Sequence, residues 1–138
     1  MTDDDEPKKR KKPKFSPTSH ALKECKARGY IAQVVEKFVR FPPPGHRVDL
    51  FGVIDIVAIT PSGILGIQAT SNNGGTHAAR VHKIHAEPRA RAWLAHARLE
   101  VWSFALRTTG KQKRYELRVE RISAEDCAAA APATEEAA

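Results

Sequence analysis

A single carboxylate interrupts an otherwise apolar run near the middle of the chain. Asp55 lies between Ile54 and Ile56 in the sequence VIDIVAIT, where an unpaired buried carboxylate would cost several kcal/mol. The next apolar run, ILGIQAT, contains Gln68 and Thr70, and the two-residue period of a β-strand puts both on one face. We therefore expect Asp55 to find its partners on the neighbouring strand.

These polar groups predict a site for a divalent cation. If Asp55 lies opposite Gln68 and Thr70, one end of the sheet presents a carboxylate, an amide oxygen and a hydroxyl together. Glu36, in the preceding predicted strand, adds a fourth oxygen donor. Sets of oxygen donors of this kind suit Mg²⁺ or Mn²⁺. We expect Asp55, Gln68 and Glu36 to be the metal ligands.

The elements that must position these residues alternate between helix and strand. The runs 53–60 and 64–70 are joined by the turn sequence Pro-Ser-Gly, which predicts an antiparallel hairpin. Strands that are apolar on both faces need cover on both faces, so we predict an α/β fold in which a mixed sheet is flanked by helices. The other predicted elements are a helix capped by Thr18 or Ser19 and ending at Gly29, a strand over 30–41, a bent or divided helix over 76–97 interrupted at Pro88, and strands over 99–106 and 115–122.

Charge is distributed unevenly along the 138 residues. Residues 15–122 carry 17 basic and 8 acidic side chains, a net charge of +9, in a chain whose net charge is +7. A folded domain with this excess attracts polyanions, and nucleic acid is the commonest of them. DNA is therefore the expected partner, although an inert basic surface would have the same composition.

Both ends of the chain are predicted to lie outside the folded domain at 15–122. Residues 1–14 combine an acidic cluster with a basic one, and residues 123–138 are rich in alanine and glutamate. We predict a disordered basic arm at 1–14 that contacts phosphates, and a flexible tail at 123–138. The basic residues of the arm are Lys8, Lys9, Arg10, Lys11, Lys12 and Lys14.

The sequence argues against membrane and disulfide-rich classes. The longest apolar run, 53–59, is broken by Asp55 and falls short of the roughly 20 residues that span a bilayer. The first residues lack the apolar region of a secretory signal. Cys25 and Cys127 are far apart, which excludes a CxxC metal site and a disulfide framework. We expect a cytoplasmic protein without membrane association, and a homodimer stays open.

Two short motifs resemble those of the PD-(D/E)XK nuclease superfamily. The sequence DIVA at 55–58 is similar to the family's Asp-(Ile/Leu)-(Ile/Val)-Ala strand, and GIQATS at 66–71 is similar to the (Glu/Gln)-x-Lys-Ser strand that follows it. The twelve residues between Asp55 and Gln68 suit that hairpin, and the likeness covers roughly residues 21–106. The nearest members are the Holliday-junction-resolvase-like and Mrr-like ones. The resemblance implies a restriction-endonuclease-like αβββαβ core and hydrolysis of phosphodiester bonds.

Two positions depart from the family pattern. Gln68 stands where the family usually has an acid, although an amide oxygen can still coordinate a metal. Thr70 stands in place of the family's lysine and supplies no positive charge to the transition state. Some members supply that charge from the following helix, where this sequence has Arg80 and Lys83.

The leading hypothesis is a Mg²⁺- or Mn²⁺-dependent endonuclease acting on branched or duplex DNA. Asp55, Gln68 and Glu36 would hold the metal, since several family members carry an additional acid near the position of Glu36. Lys83 or Arg80 would bind DNA and stabilise the transition state. One alternative is a catalytically inactive DNA-binding member of the fold, in which Asp55 pairs with Lys83. The other is a structural or interaction protein with a basic surface.

The other polar and aromatic residues have ordinary structural explanations. Asp49 could bind a metal, but an aspartate before a glycine-containing turn is more often a loop or cap residue. His77, His82 and His85 do not share one helical face, so we predict surface histidines rather than a zinc site. The residues expected in the core are Cys25, Trp93 and Trp102.

Overall fold

The computed structural model describes residues 16–72 and 75–129. The basic arm predicted at 1–14 lies outside these residues, as does the part of the predicted tail at 130–138. The elements in chain order are α1 (Pro17–Ala27), β1 (Ile31–Val34), β2 (Lys37–Val39), β3 (His46–Val48), β4 (Ile56–Thr60), β5 (Gly63–Ser71), α2 (Thr76–His85), α3 (Pro88–Leu94), β6 (Arg98–Thr109), β7 (Gln112–Arg121) and a short 3-10 helix (Ala124–Asp126).

Five of the strands form one mixed sheet in the order β1-β4-β5-β6-β7. Neighbouring strands are antiparallel except for β5 and β6, which are parallel and are connected through α2 and α3. Strands β2 and β3 form a separate antiparallel pair. The predicted mixed α/β architecture is therefore confirmed.

The predicted hairpin is present as β4 and β5. Its closing pair is Thr60 and Gly63, which flank a two-residue turn. The Thr60 hydroxyl donates a hydrogen bond to the Gly63 carbonyl at 2.9 Å and accepts one from the Ser62 N–H at 3.2 Å. These bonds fix the register that brings Asp55 level with Gln68.

The first strand of the hairpin is shorter than predicted. It begins one residue after Asp55 rather than at residue 53, because residues 50–54 form a turn closed by a β-bridge between its ends. Asp55 still continues the strand pairing, since its N–H donates to the Ile67 carbonyl at 2.9 Å. Its side chain therefore lies beside that of Gln68, as the sequence predicted.

The prediction of a single strand over 30–41 is wrong, because this segment forms two strands, β1 and β2. The chain leaves the main sheet after Val35, whose N–H donates to the Asp55 carbonyl at 2.8 Å, and β2 then pairs with β3 in the second sheet. Every residue from 30 to 41 is compatible with a strand, so no local breaker marks this change of sheet. Glu36 lies in the break between β1 and β2.

Helix α1 begins earlier than predicted. Ser16 is its cap, and the Ser16 hydroxyl accepts a hydrogen bond from the Ser19 N–H at 3.2 Å, so Thr18 and Ser19 lie inside the first turn. Pro17 occupies the first helical position, where no N–H partner is needed. Gly29 follows the helix at a φ of +79°, the left-handed conformation predicted for it.

The helical region 76–97 is divided in two at Pro88, as predicted. Pro88 begins α3 and has no N–H to continue the hydrogen bonds of α2. Glu87 caps α3 by accepting a hydrogen bond from the Arg89 N–H at 3.0 Å. The division lets the crossover follow the sheet instead of leaving it as one straight rod.

The core lies on both faces of the sheet. Helix α1 packs on one face through Ala21 and Cys25, and α2 and α3 pack on the other through Ile84 and Ala90. This confirms the prediction that the helices before and after the hairpin lie on opposite faces. The predicted core residues Cys25 and Trp102 are fully buried, and Trp93 is partly buried.

The folded region extends beyond residue 122, where the sequence predicted a flexible tail. Cys127 is buried in the cluster beneath α2 and α3. The Ala128 N–H donates to the His85 carbonyl at 2.7 Å, and the Arg91 guanidinium donates to the Cys127 carbonyl at 3.2 Å. Residues 123–128 therefore cover the end of the core. The low-complexity composition of this segment gave no indication that Cys127 would be buried.

Candidate functional site

Three carboxylates meet at one end of the sheet. Glu36, Asp49 and Asp55 each present a carboxylate oxygen, and the three oxygens lie within 4.8 Å of one another. Glu36 comes from the break between β1 and β2, whereas Asp49 and Asp55 flank the turn at 50–54. We call these residues the carboxylate cluster.

The turn at 50–54 brings the two aspartates together. The Gly52 N–H donates to the Asp49 carbonyl at 2.9 Å, and Phe51 and Gly52 have positive φ values of 54° and 78°. Side chains are strained at positive φ, so glycine suits position 52, whereas Phe51 adopts the left-handed region despite this cost. Because the turn reverses the chain within a few residues, Asp49 and Asp55 face each other across its base.

Asp55 is the most buried member of the cluster, at 4% exposure. Its Oδ2 accepts hydrogen bonds from the Gln68 Nε2 at 2.7 Å and from the Ala69 N–H at 2.9 Å. Burial, together with a hydrogen bond to the Asp49 carboxyl, raises the pKa of Asp55 to about 7. Near neutral pH Asp55 therefore holds its proton more readily than an exposed aspartate does.

Gln68 lies against the cluster and presents its amide nitrogen rather than the predicted oxygen. Its Nε2 is 2.7 Å from Asp55 Oδ2 and 3.5 Å from Asp49 Oδ2. Its Oε1 is buried and has no hydrogen-bond partner. Turning the amide over would direct Oε1 at the carboxylates, an arrangement that only a cation between them makes favourable.

Three cations surround the cluster. Arg47 Nη1 is 2.7 Å from a Glu36 carboxylate oxygen, and Lys83 Nζ is 3.5 Å from Asp49 Oδ2. Arg80 lies near Lys83 on α2 and lines the same opening. They surround a cavity of about 460 Å³ that also includes the first residues of α1, where the positive end of the helix dipole favours anions. The cavity thus has acidic side chains and a basic rim.

The predicted site residues come together in this cavity. Glu36, Asp55, Gln68, Arg80 and Lys83 all line it. The ion pair of Lys83 is with Asp49. This differs from the pairing of Lys83 with Asp55 that the inactive alternative assumed.

Thr70, whose hydroxyl was expected beside Asp55 and Gln68, does not line the cavity. It is buried at 4% exposure, and its hydroxyl donates to the Ser71 carbonyl at 3.2 Å. The positive charge at this site comes from Lys83, Arg80 and Arg47 instead.

Two residues of the site were missed or discounted by the sequence reasoning. The sequence favours a loop or cap role for Asp49, and Asp49 does precede a turn. This turn, however, brings its carboxylate into the cluster. Arg47 carries no motif, since only the pairing of β2 with β3 brings it to Glu36. The sequence feature that could have indicated Asp49 as a site residue is its spacing of six residues from Asp55, with a glycine between them.

The prediction of surface histidines fails for His77. His77 is buried at 3% exposure, with Nδ1 bonded to the Ser103 hydroxyl and Nε2 2.8 Å from Glu120 Oε1. His82 is exposed and His85 is half-buried. Among residues 16–72 and 75–129, the group of side chains placed to hold a metal consists of carboxylates and contains no histidine.

The residues present fit a hard divalent cation. Three carboxylates and one amide oxygen without a partner are oxygen donors of the kind that Mg²⁺ and Mn²⁺ prefer. Without a cation, Asp49 and Asp55 lie close together and the Gln68 oxygen has no hydrogen bond. These oxygen donors are therefore placed where they could hold one divalent cation.

The raised pKa of Asp55 predicts a pH-dependent stability of the metal-free protein. The folded chain holds the Asp55 proton more tightly than the unfolded chain, so the free energy of unfolding should fall as pH rises from about 4 to about 7, by up to about 4 kcal/mol. Urea unfolding in EDTA at pH 5 and pH 8 measures this change. Asp55→Asn should show a smaller pH dependence than the wild type, and equal dependence would contradict the assignment.

Comparison with known protein families, with curated proteins and with solved structures gives no significant match. None of the helices that the structure describes has the length and apolar character needed to cross a bilayer. The homodimer stays a prediction. The case for a function therefore rests on the geometry of the cavity.

Proposed function

We propose that this chain is a Mg²⁺- or Mn²⁺-dependent DNA endonuclease with a restriction-endonuclease-like core of the PD-(D/E)XK type. The observation that carries the proposal is the carboxylate cluster with Gln68 in a cavity whose rim is basic. Acidic ligands alone would suit any divalent cation. Acidic ligands bordered by Arg47, Arg80 and Lys83 suit a cation together with a phosphate.

The order of the elements supports the proposed core. Without the small β2–β3 pair, the chain runs α1, β1, β4, β5, α2, α3 and β6. With α2 and α3 counted as one divided helix, this is the αβββαβ order that the sequence motifs imply. The cluster lies where β4 begins and β5 approaches its end, which is where the two motifs place their polar residues. Both features are independent of the charge of the cavity.

The acidic residues would hold the metal. Asp55 and Asp49 present their carboxylates from the two sides of the turn, Glu36 closes the third side, and Gln68 would turn its amide oxygen toward them. A bound Mg²⁺ or Mn²⁺ would lower the pKa of a water molecule and offset charge on the phosphate. The Ala69 N–H keeps the Asp55 carboxylate oriented throughout.

The basic residues would bind and orient the phosphodiester. Lys83 and Arg80 lie on α2 at one side of the cavity, and Arg47 lies at the other. Lys83 is 43% exposed and its 3.5 Å contact with Asp49 is loose, so its ammonium group can turn toward a phosphate oxygen. The first turn of α1 borders the same cavity, and the positive end of its helix dipole favours the same anion.

A noncatalytic DNA-binding protein of the same fold is the second candidate. The observation that favours it is Thr70, which places no positive charge beside the cluster on β5. Incubating the wild type with supercoiled plasmid and with a four-way DNA junction, in Mg²⁺ or Mn²⁺, separates the two candidates. Cleavage supports the endonuclease, and binding without cleavage under either metal supports the noncatalytic protein.

Lys83→Ala should lower the cleavage rate by about 100-fold, because it removes a positive charge positioned for the transition state. The rate is measured on plasmid DNA at saturating Mg²⁺. Lys83→Arg keeps the charge and should retain most of the activity. Lys26→Ala is the matched control. Lys26 lies in the last turn of α1, whereas the cavity is lined by its first turn, so this variant should cleave at the wild-type rate. Equal rates for the Lys83→Ala and Lys26→Ala variants would contradict the role of Lys83.

A further inference from the structure

Strands β6 and β7 continue beyond the rest of the sheet as a two-stranded β-ribbon. Pairing of β6 with β5 ends at Phe104, whereas pairing with β7 continues to Thr109 and Gln112. We call residues 105–116 the β-ribbon. Residues 106–116 are all exposed, and the ribbon contains four basic side chains and one acidic side chain. An exposed basic ribbon without a neighbouring strand needs an explanation.

The ribbon projects from the end of the sheet near the cavity. Gln68 is level with Val101 on β6, and β6 runs in the same direction as β5 toward the ribbon. Arg107 lies six residues farther along, which corresponds to about 20 Å of extended strand. A strand of duplex DNA advances about 3.4 Å per nucleotide along the helix axis, so this distance corresponds to roughly six nucleotides measured along the axis.

Two arginines of the ribbon lie on the same face of the sheet as the cavity. Gln68, Val101 and Ser103 face α2, as the contact between Ser103 and His77 shows. Side chains alternate along a strand, so Arg107 and its cross-strand partner Arg114 also lie on this face. Lys113, one residue from Arg114, lies on the opposite face.

The pairing of these arginines favours an anionic ligand. Arg107 and Arg114 are directly opposite each other, and like charges in this position destabilise a hairpin. Glu116 contacts Arg107 at 3.1 Å, but both side chains are 58% exposed, so this ion pair contributes little. Phosphate groups would offset the repulsion more completely.

We propose that the β-ribbon binds in the major groove of duplex DNA whose phosphodiester lies in the cavity, with Arg107 and Arg114 contacting its phosphates. The major groove of B-form DNA admits a two-stranded ribbon, whereas that of duplex RNA is too narrow. Binding of single strands relies on aromatic stacking. The one aromatic residue of the ribbon, Tyr115, lies against His20 with ring centroids 4.8 Å apart.

This inference rests on the proposed function in that DNA is taken as the substrate, but its test is independent of cleavage. Binding to a 24-base-pair duplex, to one of its strands and to a duplex RNA of equal length is followed by fluorescence anisotropy in EDTA, across a series of salt concentrations. The variants are Arg114→Gln, Arg107→Gln with Arg114→Gln, and the matched control Lys113→Gln, which removes the same charge from the opposite face.

The duplex DNA should bind more tightly than the other two probes. Arg114→Gln should reduce the slope of log affinity against log salt by about 1 and the double variant by about 2, while Lys113→Gln should leave it unchanged. An equal effect of Lys113→Gln, or tighter binding of the single strand or the RNA, would overturn the proposal. Because no metal is present, a protein that fails to cleave DNA can still support the ribbon's role.

Discussion

Asp55→Asn should abolish metal-dependent cleavage while leaving DNA affinity equal or higher. The substitution keeps the shape of the side chain and an oxygen that can accept the Ala69 N–H, but it removes the charge that would hold the cation. Loss of one positioned electrostatic group alone lowers rates by about 10²- to 10³-fold, and loss of the cation also removes the activation of water, so no metal-dependent cleavage should remain. Affinity should not fall, because a negative charge close to the phosphate disappears. Cleavage of plasmid DNA and anisotropy with the same duplex measure the two effects.

A control is needed because a damaged fold would also lose activity. The asparagine variant should unfold at the same or a higher urea concentration than the wild type at pH 8, since it removes a buried charge beside Asp49. Glu24→Gln, on the exposed side of α1 and paired with Arg28, should cleave DNA like the wild type. Full activity of the Asp55→Asn variant would rule out Asp55 as a ligand.

Binding to DNA should weaken about 10³-fold between 50 and 200 mM salt, because six phosphate contacts give a log–log slope of about −5. The net charge of +9 over residues 15–122 supplies more than enough cations for six contacts. The measurement is duplex affinity by anisotropy over this range of salt. An affinity that stays constant over the range would contradict an electrostatic interface.

Deletion of residues 1–14 tests whether the N-terminal basic arm takes part in binding. Its six basic residues should add phosphate contacts, so the deletion should make the slope less steep. Because the proposed metal ligands Glu36, Asp55 and Gln68 all remain in the shortened chain, the cleavage rate at saturating DNA should be unchanged. A variant with an unchanged slope would show that the folded domain alone contacts the phosphates.

The central hairpin and its polar pair could be predicted because their signals are local. The turn sequence between β4 and β5 sets the register, and strand alternation then fixes the faces of Gln68 and Thr70. The burial of Asp55 required a partner, and the nearest polar group on the adjacent strand was Gln68. Each step needed only neighbouring residues.

The missed features depend on contacts between distant parts of the chain. The break at Glu36 contains no glycine or proline. It arises because β2 pairs with β3 rather than with the main sheet. His77 is buried because Ser103 and Glu120, on strands far along the chain, supply its hydrogen-bond partners. Asp49 has the local pattern of a turn residue, and only the folded turn shows that its carboxylate meets Asp55. Local pattern cannot distinguish such residues from ordinary surface ones.

The central claim is that the carboxylate cluster with Gln68 binds one divalent cation. Titration of the DNA-free protein with Mn²⁺ at pH 8, followed by calorimetry and by the electron paramagnetic resonance signal of free Mn²⁺, tests it most directly. We expect the wild type and the Glu24→Gln control to bind one Mn²⁺ per chain, and the Asp55→Asn variant to lose that binding. No Mn²⁺ binding by the folded wild type, or equal binding by the Asp55→Asn variant, would contradict it.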